Sequence, residues 1–460
     1  MSIALLLGGA AISLSAASAP GHEVTGDVPA RPNLLLFVSD DQRADHLGCA
    51  GHPFLRTPTI DRLASEGVRF ENAFVTTAIC AASRASLLTA TREGTHGFTF
   101  GTPALSLARV REAYPRLLRE VGYETGFVGK WGMRLEQGAR ALLLDHFHAL
   151  SRTPYFKLQA DGGERHLTDL TAEGAIAFLD GLDGAAPFCL TVSFHAPHAE
   201  DSDPRQYFWP RAQDGLYEEC AIPPAPLSHP SDFESLPRFL RESMGRERWG
   251  WRFDTTAKRE AMVRGYCRMI TGVDAAVARV LAALARRGLD ENAVVVFTSD
   301  NGAFLGERGL AGKWLIYEES IRVPLVLFDP REDRPLRVAV EDATVLNLDI
   351  APTLLDLAGI EVPASYQGRS LLPLLAGSAK SWRTDFLYEH RFEHPDIPAS
   401  EGVRDGRWTY ARYPGQRPPA EQLFDRARDP LQARNLAADP AHADVLGRLR
   451  RRCERLLAGP

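Results

Sequence analysis

The sequence is poor in cysteine and has no cysteine motif. Only six of its 460 residues are cysteines, and none of them forms a Cys-x-x-Cys pair or a zinc-finger spacing. These features exclude a disulfide-rich scaffold and a zinc finger. Cys189 lies in an apolar run and Cys267 in a helical pattern, so we predict that both are core residues. A single disulfide in an oxidising compartment stays open.

The sequence also lacks a long basic run and a long apolar run. With a formal net charge of −6, a nucleic-acid binder is not expected. The apolar run near the N-terminus is too short for a bilayer, so we expect no integral membrane segment. We interpret residues 1–30 as a signal peptide and leader, cleaved near Ala17, which predicts a periplasmic or secreted protein. The alternative is a leader without an export role.

Short apolar runs that alternate with helical patterns predict the fold class. The predicted strands are 33–38, 188–194, 293–298 and 324–328, and the predicted helices are 57–67, 258–287 and 349–359. This alternation favours an α/β fold with a large, mostly parallel mixed sheet flanked by helices. We predict a catalytic domain over 31–375, with an irregular insertion over its site at 200–256. A smaller C-terminal α+β domain should cover 376–460 and end in a basic helix near 441–457.

Two of the predicted strands run directly into acidic pairs. Asp40 and Asp41 follow the first strand, and Asp300 and Asn301 follow the third. Polar sites of α/β sheets gather at the carboxyl ends of the strands, so the two pairs should meet. Their oxygen ligands suit Ca²⁺ or Mg²⁺ rather than zinc. Either pair alone is also typical of a turn or a helix cap.

Several segments gain meaning because they occur together and in order. They are PNLLLFVSDDQRADHLGC, CAASRASLLT, GFVGKW, FHAPH, SDNGAFLGERGLAGKWLIYEESIRVPL and LDIAPTLLDLAGI. This set resembles the type I sulfatases, the formylglycine-dependent family of the alkaline phosphatase superfamily. The likeness runs from about Arg31 to Asn435. It implies an alkaline phosphatase-like fold and an arylsulfatase-like sulfuric ester hydrolase.

The resemblance implies a reactive role for Cys80. The family pattern is Cys-x-Pro-x-Arg, and its cysteine is oxidised to 3-oxoalanine (formylglycine) by a formylglycine-generating or sulfatase-maturating enzyme. One hydroxyl of the hydrated aldehyde attacks sulfur, and the other later expels sulfate. That is covalent catalysis whose nucleophile contains its own release step. In this chain Ala82 stands where the pattern has proline.

The resemblance also implies roles for the other site residues. Arg84 would orient formylglycine, while Lys130 and Lys313 would contact the sulfate oxygens. His198 would protonate the leaving alcohol, which suits an imidazole near neutral pH. The implied ligands of Ca²⁺, with Mg²⁺ as the alternative, are Asp40, Asp41, Cys80, Asp300 and Asn301.

One departure from the family pattern concerns the run GKWGM. Many relatives read GKxH, with a histidine that helps the elimination step, whereas this chain has Gly132 at that position. Our hypothesis is that His195 or a water molecule supplies the missing base. Arg308 stands where many relatives have histidine and is a candidate for touching substrate or covering the site.

These residues predict hydrolysis of a sulfate ester, on a sulfated polysaccharide or oligosaccharide. One alternative is a phosphodiesterase or phosphonate monoester hydrolase of the same superfamily. Another is a catalytically weak binder of sulfated glycans, which Ala82 and Gly132 would favour.

Conversion of Cys80 can be measured directly. In protein from a host that has the converting enzyme, we expect the tryptic peptide that ends at Arg84 to be about 18 Da lighter than its thiol form, because oxidation replaces the thiol with an aldehyde. Mass spectrometry of that peptide is the measurement. An unchanged thiol in protein from the native host would favour the glycan binder instead.

Overall fold

A large twisted sheet, built from the apolar runs of the sequence, forms the centre of the protein. The computed structural model describes residues 31–100, 103–331 and 340–459, and the chain from Arg31 onward forms one compact unit. The strands are Asn33–Ser39 (β1), Val68–Phe70 (β2), Ala73–Phe74 (β3), Glu124–Gly129 (β4), His146–Ala149 (β5), Phe156–Leu158 (β6), Glu164–His166 (β7), Phe188–Ser193 (β8), Ala293–Ser299 (β9), Phe304–Leu305 (β10), Ala311–Gly312 (β11), Leu325–Phe328 (β12), Val340–Glu341 (β13), Val345–Leu346 (β14), Asp385–His390 (β15), Ser400–Asp405 (β16), Trp408–Tyr413 (β17) and Ala420–Asp425 (β18).

Helices cover both faces of this sheet. They are Pro58–Glu66 (α1), Cys80–Thr89 (α2), Glu93–His96 (α3), Leu107–Arg111 (α4), Tyr114–Glu120 (α5), Ala139–Leu143 (α6), Leu167–Gly181 (α7), Pro230–Glu234 (α8), Arg238–Arg241 (α9), Met244–Arg252 (α10), Thr256–Arg286 (α11), Glu318–Ile321 (α12), Ile350–Leu357 (α13), Leu372–Leu375 (α14) and Ala443–Ala458 (α15).

The main sheet has the order β13-β2-β12-β9-β1-β8-β4-β5. Its centre, from β9 to β5, is parallel. Strand β12 is antiparallel to both of its neighbours, so the sheet is mixed. The predicted α/β class is therefore confirmed, and the four predicted strands and three predicted helices are present with bounds that differ by one or two residues.

Strand β1 shows how the sequence creates two cores. Leu34, Leu36 and Val38 pack on one face of the sheet with α2, α5 and α13, while Leu35 and Phe37 pack on the other with α1, α7 and α11. Both faces are buried, which is why the strand has a continuous apolar run rather than an alternating one.

Two regions differ from the sequence expectation or extend it. Strand β4 was not among the predicted strands, because glycines interrupt its apolar run. Gly126 is required there, since a Cβ at this position would lie 2.6 Å from the Phe178 ring on α7. The 200–256 segment, predicted to be irregular, contains α8, α9 and α10; α8 begins with a capping box between His229 and Asp232.

The C-terminal part is an antiparallel sheet of order β15-β16-β17-β18 with α15 against it. Leu387, Val403 and Leu423 of the sheet pack against Leu449 and Cys453 of the helix. The domain boundary after residue 375 stays a prediction. The predicted leader lies outside the described residues. Within the described ranges, none of the helices combines the length and apolar character that crossing a membrane requires.

Asp349 connects the end of the main domain to the C-terminal sheet. Its buried carboxylate accepts from the Leu346 amide at 2.8 Å and from the Arg369 amide at 2.8 Å. Arg383, two residues before β15, donates to both carboxylate oxygens, with Nη2 2.7 Å from Oδ1. The acid thus satisfies two backbone groups and one guanidinium.

Removing the charge of Asp349 should destabilise the protein. Asp349→Asn leaves the Arg383 charge buried and unpaired, which costs about 3–5 kcal/mol in comparable buried pairs. The measurement is urea denaturation of both proteins. Arg62→Ala is the matched control, because it removes an exposed pair with Glu66 and should change the free energy of unfolding by about 1 kcal/mol or less. Equal effects of the two substitutions would contradict the role given to Asp349.

Candidate active site

The two predicted acidic pairs lie side by side at the carboxyl end of the main sheet. Strands β1 and β9 are parallel neighbours, and their last residues, Ser39 and Ser299, are in register. The residues that follow, Asp40 and Asp300, are therefore adjacent. The Asp300 amide donates to the Ser39 carbonyl oxygen at 3.1 Å, which continues the ladder as far as the acids. The sheet register thus brings the two pairs together.

Asp41 and Asn301 are joined by hydrogen bonds across the two strand ends. Asp41 has a left-handed backbone with φ of 66°, and its amide donates to Asp300 Oδ1 at 3.2 Å. Asn301 Nδ2 donates to Asp41 Oδ1 at 2.6 Å. These bonds hold the side chains of both pairs around one small volume.

Burial and neighbouring charge shape the titration of the two adjacent aspartates. Burial raises the pKa of Asp300 to about 6, and the charge of Asp40 adds to that rise. Burial acts on Asp40 in the same direction, but the charges of Lys130, His198 and Lys313 outweigh it and lower the pKa of Asp40 well below its usual value. Two buried carboxylates this close are ionised together only if cations lie beside them.

The oxygens of the acidic pairs fit a hard divalent cation. Asp40 Oδ1 and Asn301 Oδ1 are buried and accept no hydrogen bond from any residue that the structure describes. Buried polar atoms are normally paired, so these two oxygens are available to a metal. All donors of the set are oxygens, which both Ca²⁺ and Mg²⁺ prefer, and the set does not choose between the two ions.

Cys80 is the first residue of α2 and faces these carboxylates. Ile79 before it has an extended backbone, and the helix begins at Cys80. One potential ligand atom from each of Cys80, Asp40 and Asp300 lies within 4.8 Å of the others. Cys80 is only 7% exposed, yet it borders a cavity. A group at position 80 therefore meets both the acidic pairs and the space open to a ligand.

Arg84 lies one helical turn after Cys80 and connects three strand ends. Its Nε donates to Asp300 Oδ2 at 2.8 Å, and its Nη1 donates to the Lys130 carbonyl oxygen at 2.8 Å. Nη1 also donates to Ser193 Oγ, at the end of β8. Burial would lower the pKa of Arg84, but the charges of Asp300 and Asp40 outweigh burial and raise it. The guanidinium is thus a fixed positive charge under the site.

The two predicted lysines are paired with the first acidic pair. Lys130, directly after β4, donates to Asp40, and Lys313, directly after β11, donates to Asp41. Lys313 Nζ also lies 3.9 Å from Asp40 Oδ1. Both side chains border the cavity next to Cys80, so they offer positive charge to an anion bound there.

His198 borders the cavity and lies beside Arg152, a cation in addition to Arg84 and the two lysines. His198 Nε2 lies 3.6 Å from Asp41 Oδ2, and Arg152 Nη1 lies 2.6 Å from His198 Nδ1. Burial, followed by the charge of Arg152, lowers the pKa of His198 well below its usual value. The free ring is therefore neutral at pH 7. A bound anionic ester adds negative charge nearby, which favours the protonated ring.

His195 and Gly132 lie near Arg84 and Lys130. Gly132 has φ of 71°, and a Cβ at that position would lie 3.2 Å from Arg84 Cδ, so a side chain would strain the backbone and press on the guanidinium. His195 borders the cavity, and its buried Nδ1 has no hydrogen-bond partner among the described residues. Burial, with the charge of Lys130, lowers the pKa of His195 to about 3. His195 is thus neutral at pH 7 with an unpaired ring nitrogen, and because its pKa is so low it becomes an effective base only where bound anionic substrate raises that pKa.

The cavity beside Cys80 has a volume of about 540 Å³, within the range of ordinary ligand sites. Its inner end is polar and is lined by the predicted residues Cys80, Lys130, His195, His198 and Lys313. Its outer part is aromatic and mixed in charge. That outer part includes Phe100, Trp131, Arg152, Asp201, Met244, Arg248, Trp314, Phe392, His394 and Ile397.

Sequence reasoning missed Arg152, Asp201 and Arg248. Asp201 and Arg248 fall in the 200–256 segment that was expected to cover the site, but no motif singled them out. Arg308 does not border the cavity: its Nη1 donates to Glu319 Oε1 at 2.9 Å, and its guanidinium lies over the Tyr317 ring. Arg308 therefore contacts protein side chains rather than the cavity, so of its two predicted roles, touching substrate or covering the site, the structure does not show the first.

Comparison with known proteins bears on the family and the fold of the chain. The sequence model of the Sulfatase family matches residues 32–360, and that of the N-sulphoglucosamine sulphohydrolase C-terminal region matches residues 306–458. The chain is 28% identical to the N-acetylglucosamine-6-O-sulfatase of Bacteroides thetaiotaomicron, over 95% of this chain and 88% of the relative.

Solved structures agree as well. A protein in complex with its substrate D-glucosamine-2-N,6-O-disulfate superposes with a TM-score of 0.80 and 25% identity, covering 92% of this chain and 97% of that chain. The phosphonate monoester hydrolase from Silicibacter pomeroyi superposes with a TM-score of 0.75 and 24% identity, covering 92% and 94%, and shares the fold.

If His195 supplies the missing base, His195→Ala should lower kcat at least about 100-fold with a small change in KM, because general base catalysis typically contributes that much. Steady-state kinetics from pH 5 to 9 is the measurement. Because the pKa of His195 is about 3, this ring stays neutral from pH 5 to 9, and the wild-type activity should not fall in that range through protonation of His195. The exposed cap variant His229→Ala is the control. Full turnover with an unchanged pH profile would rule out His195.

Proposed function

The chain belongs to the Sulfatase family of the alkaline phosphatase superfamily and is a sulfuric ester hydrolase, and from this premise we propose that it removes sulfate from a sulfated carbohydrate. The observation that carries the proposal is the cavity of about 540 Å³, which joins an inner end lined by Lys130, Lys313 and His198 to an aromatic outer part. A sulfate group suits the first, and the apolar faces of a sugar ring suit the second.

The balance of charge at the inner end supports a sulfate ester. Asp40, Asp41 and Asp300 are opposed by Arg84, Lys130 and Lys313, so the side chains alone are close to neutral. A divalent cation held by the acidic pairs makes the inner end positive, and it would act as a Lewis acid towards bound oxygen. This excess of positive charge favours binding of an anionic group such as a sulfate ester.

The residues around Cys80 support a role for each predicted side chain. We take Cys80 as the precursor of the formylglycine nucleophile, made by a dedicated maturating enzyme. Arg84, fixed by Asp300, would hold residue 80 in orientation. Lys130 and Lys313 would bind the ester's sulfate oxygens, where charge develops as the S–O bond breaks.

His198 would hold the proton for the leaving oxygen. Its Nε2 lies 3.6 Å from Asp41 Oδ2 and its ring is shielded from solvent, so its protonation depends on the charges around it. Arg152 opposes protonation in the free protein, and the anionic substrate would offset Arg152. The proton would then be present when substrate is bound, which is when the leaving alcohol needs it.

Cations in the outer part of the cavity support a substrate with a second polar or anionic group. Arg248 lies over the Trp314 ring, 4.7 Å from its centroid, and Arg248 Nη2 donates to Asp201 Oδ2 at 2.8 Å. Arg248 Nε is buried, with no partner in the part of the chain that the structure describes. Arg248 and Arg152 together offer hydrogen-bond donors to a substituent of the sugar. Sulfated glucosamine is therefore the first substrate to test.

The proposed cell location follows the leader. We propose that residues 1–30 direct export, so that the enzyme acts in the periplasm or outside the cell. Sulfated polysaccharides and their oligosaccharides are extracellular polymers, which fits that location.

A substrate panel tests the proposal. Protein matured in a host with the converting enzyme should release sulfate from N-acetylglucosamine 6-sulfate or an aryl sulfate with a kcat/KM at least about 100-fold above that for a bis-aryl phosphate or a phenylphosphonate ester, because the chain belongs to the Sulfatase family and an enzyme binds the transition state of its own ester most tightly. Ion chromatography of released sulfate, with Cys80→Ala as the inactive control, is the measurement. Preference for the phosphorus esters would transfer the proposal to the phosphodiesterase class. Tight binding of sulfated sugars without release would indicate a glycan binder.

The role of His198 predicts a dependence on the leaving group. His198→Ala should lower kcat/KM for a sugar sulfate by about 100-fold or more, because its alkoxide leaves poorly without a proton. The loss on 4-nitrophenyl sulfate should be less than about 10-fold, since nitrophenolate leaves without one. Kinetics on both substrates gives the ratio. Equal losses on both would show that His198 acts on binding rather than on proton transfer.

A further inference from the structure

A second group of metal-binding side chains lies outside the candidate active site. His46 and His52 belong to the loop that follows Asp41, and Cys267 lies on α11. One potential ligand atom from each of these three residues lies within 4.8 Å of the other two. His46 and Cys267 are buried, and His52 is half-buried. We name this group the His46–His52–Cys267 cluster.

The contacts of His46 prepare it as a ligand. His46 Nδ1 lies 2.7 Å from Asp45 Oδ1, so Nδ1 donates to this carboxylate and Nε2 is the ring nitrogen left to bind a metal. A carboxylate behind a histidine in this way is the usual support of a metal-bound imidazole. Asp45 is itself fixed by Arg43, whose Nε lies 2.8 Å from Asp45 Oδ1.

His52 and Cys267 complete the set from two directions. His52 Nδ1 accepts from the Leu55 amide at 3.1 Å, and binding a metal through either ring nitrogen replaces that bond. Burial raises the pKa of the Cys267 thiol, and the charges of Asp45 and Cys220 add to the rise. A bound metal reverses this, since a coordinating thiol is deprotonated. Cys220, half-buried and packed on the same core, is close enough to Cys267 to influence its charge.

We propose that the His46–His52–Cys267 cluster binds one zinc ion, with Cys220 or a water molecule in the fourth position. Two imidazoles and a thiolate suit Zn²⁺ and do not suit Ca²⁺ or Mg²⁺, which take oxygen ligands. Ligand atoms of a tetrahedral zinc site lie about 3.3–3.8 Å apart, from the usual Zn–N and Zn–S lengths. From a separation of up to 4.8 Å, the ligand atoms need to approach one another by about 1.5 Å at most.

The zinc ion would have a positioning role. Tyr266, next to Cys267 on α11, donates from its hydroxyl to the Asp41 carbonyl oxygen at 2.7 Å and accepts from the Arg43 amide at 3.1 Å. The His46 ring lies 5.2 Å from the Tyr266 ring. An ion joining His46 and His52 to Cys267 would therefore fix the loop that begins with Asp40 and Asp41 onto α11. The proposal does not depend on which ester the enzyme cleaves.

The test uses the full-length protein in the Cys80→Ala background, which removes the thiol of the catalytic site. After dialysis against zinc and then metal-free buffer, we expect about one zinc per chain by inductively coupled plasma mass spectrometry. Substituted cobalt(II) should show thiolate-to-cobalt charge-transfer absorption in the near ultraviolet, which oxygen ligands do not give. Zinc should also raise the melting temperature of this protein.

Matched variants locate the ion. Cys267→Ser and His46→Ala should lose the zinc, the cobalt absorption and the zinc-dependent rise in melting temperature. Cys189→Ser, which alters a buried cysteine on β8, should keep all three. If Cys267→Ser does not fold, the cobalt spectrum of the background protein decides alone. Absence of that absorption, zinc retained by Cys267→Ser, or a disulfide between Cys220 and Cys267 would overturn the proposal.

Discussion

The in-register pairing of β1 and β9 is the constraint on which the rest of the site depends. It forces Asp40 and Asp300 to lie side by side in a buried position, where carboxylate charge is unfavourable unless cations surround it. The protein supplies these from separate elements: Arg84 from α2, Lys130 from the end of β4 and Lys313 from the end of β11. Arg84 reaches Asp300 from a helix, whereas Lys130 and Lys313 reach Asp40 and Asp41 from strand ends, and these two lysines also border the cavity. Folding and anion binding use one set of charges.

Position 80 shows what the start of a helix offers to the proposed nucleophile. Because Cys80 opens α2, its side chain faces the acidic pairs, while Arg84 one turn later reaches Asp300 from the same helix. Ala82 between them is fully buried in a small apolar cluster with Ile79 and Trp314. The family's proline is therefore replaced at a position that packs inward and does not touch the cavity. The departure at Gly132 is different, because its left-handed backbone and its close approach to Arg84 favour a residue without a side chain.

Much of this could be predicted from the sequence because strand ends are local signals. The apolar runs gave β1, β8, β9 and β12, and acids directly after parallel strands must meet at one edge. The antiparallel direction of β12 could not be predicted, because direction depends on long-range pairing rather than on composition. Arg152 and Arg248 were missed for a related reason. Arg152 follows β5, a strand that the sequence did not predict, Arg248 lies on α10, and neither belongs to a motif, so only the folded chain brings them together at the cavity. Arg308 shows the opposite error, since a residue inside a strong motif packs on Tyr317 and Glu319 instead of facing the ligand space.

The loop from Asp40 to His52 explains how one segment can serve two chemistries without confusion between metals. Its first residues offer only oxygens, and its last offer imidazoles that meet a thiol on α11. Hard cations are weakly held by nitrogen and sulfur, and zinc is drawn to them, so each end selects its own ion by ligand type. Tyr266 lies between the two ends and bonds to the backbone of Asp41. Zinc bound to the His46–His52–Cys267 cluster would therefore restrict the motion of Asp40 and Asp41 without competing for their oxygen ligands. The position of this acidic pair would then depend on the whole loop as well as on β1.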